Sequence, residues 1–331
     1  MPAANCVAGE LLNERDFAET AARYLRFAEG EARGRSPLYE KFARCIANDR
    51  ELLRLLLELP KERRQPNLLL AVVRYLFGTP GDWSRFRNPL VNEWGAVRAI
   101  MLERSTQTNE PARCAALLPL LVRLPQPLAL VEVGASAGLC LLPDLYAYDY
   151  GKRILRPGRS DYQVPLFYCK VNDETPLPTK MPLIVWRAGL DLNPVDISDP
   201  VQARWLEALV WPEQTDRLAN LRAAIKIAEA FKPRVVRGDL RHDLAPLVEE
   251  VPKDATLVIF HTAVLAYVPS VTDRQEFARK VRTLCPYWIS NESPQIFPDI
   301  ALWTLGRGGQ GNFLLSANVF RLLGLIRTVL H

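Results

Sequence analysis

No Cys-x-x-Cys pair occurs among the six cysteines, which lie far apart at Cys6, Cys45, Cys114, Cys140, Cys169 and Cys285. That spacing argues against a zinc site and a disulfide framework, and the apolar neighbours of several suit free thiols packed as small hydrophobes. No bound metal is expected. No apolar run reaches the roughly 18 residues that a membrane span needs, and Met1 to Glu10 lacks a basic segment followed by an apolar stretch. A cytoplasmic protein without a membrane partner is therefore expected. A large excess of charge is missing too. Forty-two basic against 37 acidic side chains leave +5 over 331 residues, too little by itself to point to a nucleic-acid partner. Internal repeats and long low-complexity tracts are absent. What is present is apolar material, 49% against 24% charged, enough to bury a sizeable core in one or two globular domains.

The pattern changes near residue 125. Before it, apolar residues recur at helical spacing, as in Phe17, Ala21, Tyr24, Leu25 and Ala28, closed by Gly30. Ser36-Pro37 offers an N-cap followed by a proline in the first turn, Asp49 can cap the segment through Leu59, and Pro66 to Phe77 ends at Gly78. A further helix starts at Thr108 or Asn109, with Pro111 in its first turn, and runs through Val122. Residues 1–125 are thus expected to form a helical region of about five or six helices, a lid or an acceptor-side layer.

Residues 126–331 read as short apolar runs alternating with helices, the mark of a largely parallel sheet covered on both faces. The expected strands are Leu128 to Val133, Leu183 to Leu190, Arg234 to Arg237, Thr256 to His261 and Tyr287 to Ser290. Asp199-Pro200 opens one helix, and Thr272-x-x-Gln275 reads as a capping box before another. Residues 146–180, rich in Tyr, Pro, Gly and charge, interrupt this as an expected β-hairpin insertion. The glycines at 306, 308, 309 and 311 suit a loop better than a phosphate cradle, because no strand-to-helix context surrounds them.

Chemistry concentrates where the first strand ends. Leu128-Ala-Leu-Val-Glu-Val-Gly-Ala-Ser-Ala-Gly-Leu139 places Glu132, Gly134, Ser136 and Gly138 at an expected strand-to-helix turn, where backbone N–H groups can face a ligand and glycine permits close approach. A tight turn that only packs helix on strand is the structural alternative. A dinucleotide site wants glycine where Ser136 stands and an acid about 20 residues on, a place that Asp149 and Asp161 only bracket. Gly134-Ala-Ser136-Ala-Gly138 also satisfies Gly-x-Ser-x-Gly, the nucleophile elbow of serine hydrolases, with Asp191, Asp196 or Asp239 and His242 or His261 as partners. Against it, no strand reads before Leu128, and that fold draws an oxyanion donor from an earlier strand loop.

From Leu130 onward the chain resembles class I S-adenosylmethionine-dependent methyltransferases. Val131 to Gly138 looks like their first motif, Gly189-Leu-Asp-Leu-Asn-Pro194 their second, Val236-Arg-Gly-Asp239-Leu their third, and Leu257 to Val268 their fourth. The resemblance implies a Rossmann-like, doubly wound, mostly parallel α/β sheet. It implies S-adenosylmethionine as cofactor, with Glu132, Gly134, Ser136 and Gly138 at its methionine end, Asp191 on the ribose hydroxyls and Asp239 at the adenine amino group. A ligand with a diol, an amino-bearing purine and a charged amino acid needs carboxylates at separated points along one sheet edge, which successive parallel strands offer. The span from about Thr108 to Pro298 also resembles a bacterial family catalogued as domain of unknown function 2332. Gln107-Thr-Asn-Glu110 with Arg113, Val131 to Gly138, Asp191 to Asp196, Ala203 to Leu206 with Leu209 to Glu213, His261 to Tyr267 and Ser290 to Glu292 carry that resemblance. Two features depart from the methyltransferase pattern, the long interval between Gly138 and Asp191 and the tail from Phe313.

These readings lead to a methyltransferase acting on a small-molecule acceptor, with His261, Tyr267, Asn291 and Glu292 as catalytic candidates at strand ends. A non-catalytic cofactor-binding or regulatory protein of the same fold and a Ser136 hydrolase stand as alternatives. Trp205 and Trp211, at helical spacing among apolar neighbours, suit core packing better than an acceptor pocket.

Overall fold

The computed structural model describes residues 14–107, 109–158, 161–171, 175, 177–292 and 296, and the backbone of 313–315. The opening Met1 to Glu10 and the glycine loop expected at 306–311 lie outside the described residues. The chain divides into two compact units, Met1–Gln107 with Arg204–Thr215, and Thr108–Ala203 with Asp216–His331.

The first unit is helical: α1 (Glu14–Phe27), a π-helical turn (Ala28–Ala32), α2 (Pro37–Ala47), α3 (Arg50–Leu57), α4 (Pro66–Phe77), α5 (Trp83–Asn92) and α6 (Trp94–Glu103). Local signals set its boundaries. Ser36 Oγ accepts the Tyr39 N–H at 3.1 Å, Pro37 takes the first turn of α2, and Asp49 Oδ1 accepts the N–H groups of Glu51 and Leu52 at 3.0 Å. Gly78, at φ +79°, ends α4. Tyr24, Phe42, Ile46, Leu52, Leu56, Leu69 and Val97 form the core. Trp205 belongs to that core, and the half-buried Trp211 packs against it. Trp205 donates its indole N–H to the Ser105 carbonyl at 3.1 Å, and Trp211 packs edge-on against Phe27.

The second unit contains α7 (Cys114–Leu121) and β1 (Leu128–Val133), then β2 (Ala147–Asp149), β3 (Ile154–Leu155) and β4 (Leu166–Tyr168) in the expected insertion. There β2 pairs antiparallel with β3 as a hairpin and parallel with β4. It continues through β5 (Ile184–Asp191), α8 (Pro200–Ala208, which crosses the unit boundary), α9 (Thr215–Phe231), β6 (Arg234–Arg237), α10 (Leu244–Glu249), β7 (Thr256–Thr262), α11 (Val271–Leu284), β8 (Tyr287–Asn291) and β9 (Phe313–Leu315). The main sheet runs β6-β5-β1-β7-β8-β9, with every pairing parallel. It is a mixed α/β arrangement, compatible with a Rossmann-like fold. The chain works outward from β1 through β5 to β6 and then returns to β7, so the strand order reverses between β1 and β7. In open sheets of this kind that reversal leaves a crevice outside the carboxyl ends of the strands.

All six residues of β1 are buried, as a central strand covered on both faces requires. Val131, Val133, Ala188, Leu190, Ile259 and Trp288 pack with Phe277 and Val281 of α11 and Leu244 and Leu247 of α10. Alternation along each strand therefore puts Glu132, Gly189 and Phe260, which lie side by side in register, on the opposite face.

Three local expectations need correction. The segment after Gly138 does not enter an α-helix. It forms two 3-10 turns, Leu139–Leu141 and Pro143–Leu145, because Gly138 is left-handed at φ +72°, Pro143 interrupts the run and Asn109 Oδ1 accepts the Leu139 N–H at 2.8 Å. The helix expected from Thr108 or Asn109 begins only at Cys114, after a 3-10 turn at Pro111–Arg113 that the Glu110 carboxylate caps through the Ala112 N–H. The N-cap of α11 is Ser270, whose Oγ accepts the Asp273 N–H at 3.1 Å, so Thr272 already lies inside the helix.

Candidate functional site at the carboxyl edge of the sheet

The loop after β1 is folded back on itself. Gly134 N–H and Ala135 N–H both donate to the Leu190 carbonyl, at 2.7 and 3.3 Å, and Gly138 N–H donates to the Ala135 carbonyl at 2.7 Å. Gly134, Ser136 and Gly138 all have positive φ, at +72°, +51° and +72°. Serine there is a strained choice, of the kind that clusters at functional positions. Gly189 has no side chain because the loop needs the room: a Cβ on it would lie 2.3 Å from that of Ala135.

Asp191, at the end of β5, organises this loop. One carboxylate oxygen accepts the Ser136 N–H and the other the Asn193 N–H, each at 2.8 Å, and the residue is nearly buried. Asp239 lies beyond β6. Its oxygens accept the backbone N–H and guanidinium donors of Arg241, and those hydrogen bonds hold its carboxyl down at about 2.

Around the strand-order reversal, buried polar atoms accumulate without hydrogen-bond partners. They are Glu132 Oε2, Ser136 Oγ, His261 Nε2, Ser290 Oγ, Asn291 Oδ1, Glu292 Oε2 and Arg113 Nε. Leaving such an atom unpaired costs roughly 1–3 kcal/mol, so their concentration at one sheet edge makes that edge the candidate site. The set divides between the two faces. His261 lies beside Val133 and Ser290 in register, on the face that carries Phe277 and Trp288. Thr262 and Asn291 pair on the other face, where Arg113 donates from Nη1 to both the carbonyl and Oγ1 of Thr262 at 2.9 Å. Glu132 shares that face. Burial, above all, drives its carboxyl well above the usual carboxylate range, with Cys140 and Asp191 pushing the same way and Arg113 opposing.

A raised pKa at a buried carboxyl penalises the folded state once the group would ionise in the unfolded chain. In the unfolded chain Glu132 ionises near pH 4.5, its ordinary value; in the folded chain it holds its proton longer. Its contribution to stability is therefore present below that pH and is lost as pH rises toward the folded value. Glu132→Gln is expected to make the ligand-free protein more stable at neutral pH and to abolish this part of the fall, as urea unfolding at pH 4, 5.5 and 7 will show. A variant less stable than wild type at neutral pH contradicts this reading of Glu132.

Glu132, Ser136, Asp191, His261, Asn291 and Glu292 thus gather at the carboxyl ends of β1, β5, β7 and β8. Tyr267 stands apart, 75% exposed on the turn after β7. Gly134 and Gly138 serve packing as well as approach: a Cβ on Gly134 would meet Val264 Cγ2 at 2.3 Å, and one on Gly138 would meet Val235 at 3.0 Å and Pro233 at 3.1 Å. Arg113, Thr262 and Ser290 join the site only in the folded chain. Arg113 and its partner are 149 positions apart, so no local pattern could have joined them. Among the described residues no cluster of His, Cys, Asp and Glu could hold a metal ion, and no helix is long and apolar enough to cross a membrane.

The profile of a family described as an uncharacterised protein conserved in bacteria, DUF2332, matches residues 21–310. The chain belongs to that family. No curated protein and no solved structure matches it.

Proposed function

We propose that this DUF2332 family member binds S-adenosylmethionine at the carboxyl edge of its main sheet and transfers the methyl group to a small-molecule acceptor. The reading takes the sheet as a Rossmann-like, methyltransferase-type one. The observation that carries it is the concentration of buried, unpartnered polar atoms beside the strand-order reversal, with Glu132 and Ser136 among them.

Charge distinguishes this ligand from a phosphorylated one. A dinucleotide pyrophosphate is normally held at a helix N-terminus. Here the loop after β1 runs into 3-10 turns, and the edge carries Glu132, Asp191, Asp239 and Glu292. Such a set suits a ligand with positive charge and hydroxyl or amino donors, as the sulfonium, ammonium, ribose and adenine of S-adenosylmethionine provide. Glu132 would face the cationic end, Arg113 would offer a cation to its carboxylate, and Asp191 and Asp239 would serve the ribose and the adenine. When bound, the cofactor supplies an activated methyl group, and the protein's part is to hold the acceptor in line with it and to exclude water.

Ser136 keeps one feature of the hydrolase alternative, a strained backbone with a buried hydroxyl. However, neither Ser136 Oγ nor His261 Nε2 has a hydrogen-bond partner, so the serine–histidine bond of a catalytic triad is not formed. A fluorophosphonate probe that labels Ser136 would favour that alternative. A cofactor-binding protein without catalysis would bind yet produce no S-adenosylhomocysteine.

Titration calorimetry tests the proposal. Binding of S-adenosylmethionine is expected with Kd in the range of roughly 1–100 µM, about −8 to −5.5 kcal/mol. NAD should give no heat, and Glu132→Gln should weaken binding at least about tenfold, ~1.4 kcal/mol. No heat with well-folded wild-type protein at high micromolar cofactor contradicts the proposal.

A further inference from the structure

His261 ends β7 fully buried, and its Nδ1 lies 2.7 Å from Glu292 Oε1. That oxygen also accepts the N–H groups of Val264 and Leu265, at 2.8 and 3.2 Å. An oxygen already receiving two amide protons acts as an acceptor, so the hydrogen between it and Nδ1 belongs to the imidazole. In the neutral imidazole this fixes the tautomer, with the proton on Nδ1 and the lone pair on Nε2. Phe277 and Trp288 flank the ring at 5.6 and 5.8 Å between centroids and limit its rotation. A purely structural tether between β7 and the end of β8 needs only the Nδ1 side. Nε2 has no hydrogen-bond partner, and the residue that carries it pairs in register with Val133 at the end of β1.

We infer that His261 is the general base of the site, that Glu292 is its positioning residue, and that the acceptor is methylated at an atom carrying a proton, a hydroxyl or a ring N–H. This rests on the proposed methyl transfer. In the step, His261 Nε2 takes the acceptor's proton while the acceptor's electron pair forms a bond to the methyl carbon. The carbon–sulfur bond breaks, its electrons return to sulfur, and neutral S-adenosylhomocysteine leaves. The imidazolium that remains is paired with the Glu292 carboxylate until its proton passes to water. Acceptors whose attacking atom is already deprotonated at neutral pH need no such base.

The chain contains three histidines, so long-range nitrogen–proton NMR of protein labelled with 15N-histidine can resolve each ring, and His261→Asn identifies the signals of His261. The expected result is an Nδ1–H tautomer with unprotonated Nε2, an Nε2 signal that moves when S-adenosylmethionine is added, and loss of the single tautomer in Glu292→Gln with recovery in Glu292→Asp. His261→Asn keeps a donor for Glu292 but lacks the base. It should bind S-adenosylmethionine within about threefold of wild type and slow the methylation of a phenol, an aliphatic alcohol or an imidazole by roughly 10²–10⁴-fold. An Nε2–H tautomer, an Nε2 signal indifferent to bound cofactor, or undiminished methylation by a folded His261→Asn variant overturns the inference while leaving the methyltransferase reading intact. Absence of cofactor binding overturns that reading and the inference with it. The tautomer and its response to cofactor decide the matter whether or not any acceptor in the panel turns over.

Discussion

Asp191→Ala is expected to destabilise the ligand-free protein by roughly 2–5 kcal/mol, because it strips the acceptor from two backbone N–H groups at a buried loop. Both Ser136 N–H and Asn193 N–H lie 2.8 Å from the carboxylate, one on each oxygen. Asp191→Asn should not rescue, since its amide would set a donor against one of those donors. Urea unfolding in the absence of any ligand measures the effect. Wild-type stability in Asp191→Ala would mean that the carboxylate does not order the loop. The same variant should bind S-adenosylmethionine poorly even where it is folded, because the Ser136 loop will have lost its shape.

Gly134→Ala should be similarly severe, for a different reason. Its backbone sits at φ +72°, where a side chain costs about 1–2 kcal/mol. The added Cβ would also lie 2.3 Å from Val264 Cγ2 and 2.9 Å from Cγ1. Val264 cannot step aside cheaply, since Glu292 holds its N–H at 2.8 Å. Overpacking of this kind typically adds about 1–3 kcal/mol, for a total of roughly 2–5 kcal/mol. The double variant Gly134→Ala with Val264→Ala separates the two contributions. It should recover the steric part and leave the backbone part, a coupling readable from a thermal-unfolding double-mutant cycle. Full additivity of the two substitutions would show that Gly134 and Val264 do not press on one another.

How much of this was legible in the sequence depended on how far apart the interacting residues lie. Leu128–Val133 and Arg234–Arg237 were readable to the residue as apolar runs bounded by Pro, Gly or helix ends, and the other three principal strands to within one residue at each end. Ser36-Pro37 and Asp49 announced their helices because caps are local chemistry. Thr272 misled, because Ser270 two residues earlier offers an equally good hydroxyl and the chain turns helical there first. The loop after β1 was legible as a glycine-rich turn but not as one without a following α-helix. That outcome depends on Asn109, 30 residues upstream, capturing the Leu139 N–H. Asp191 was readable as a polar strand end, whereas its grip on Ser136 across 55 residues was not. Glu292 read as an acid at a strand end; only the folded chain brings it to His261, 31 residues away, and to the turn that covers Gly134.

The account turns on one sheet edge accepting one adenosyl compound, and a crystal structure of the protein soaked in S-adenosylmethionine examines that most directly. Ligand density should lie outside the carboxyl ends of β1 and β7, with polar atoms of the cofactor within hydrogen-bond reach of Glu132 and Ser136 and its adenosine directed toward Asp191. A ligand seated elsewhere, or a fully saturated soak that leaves those two side chains bonded only to ordered water, would contradict it.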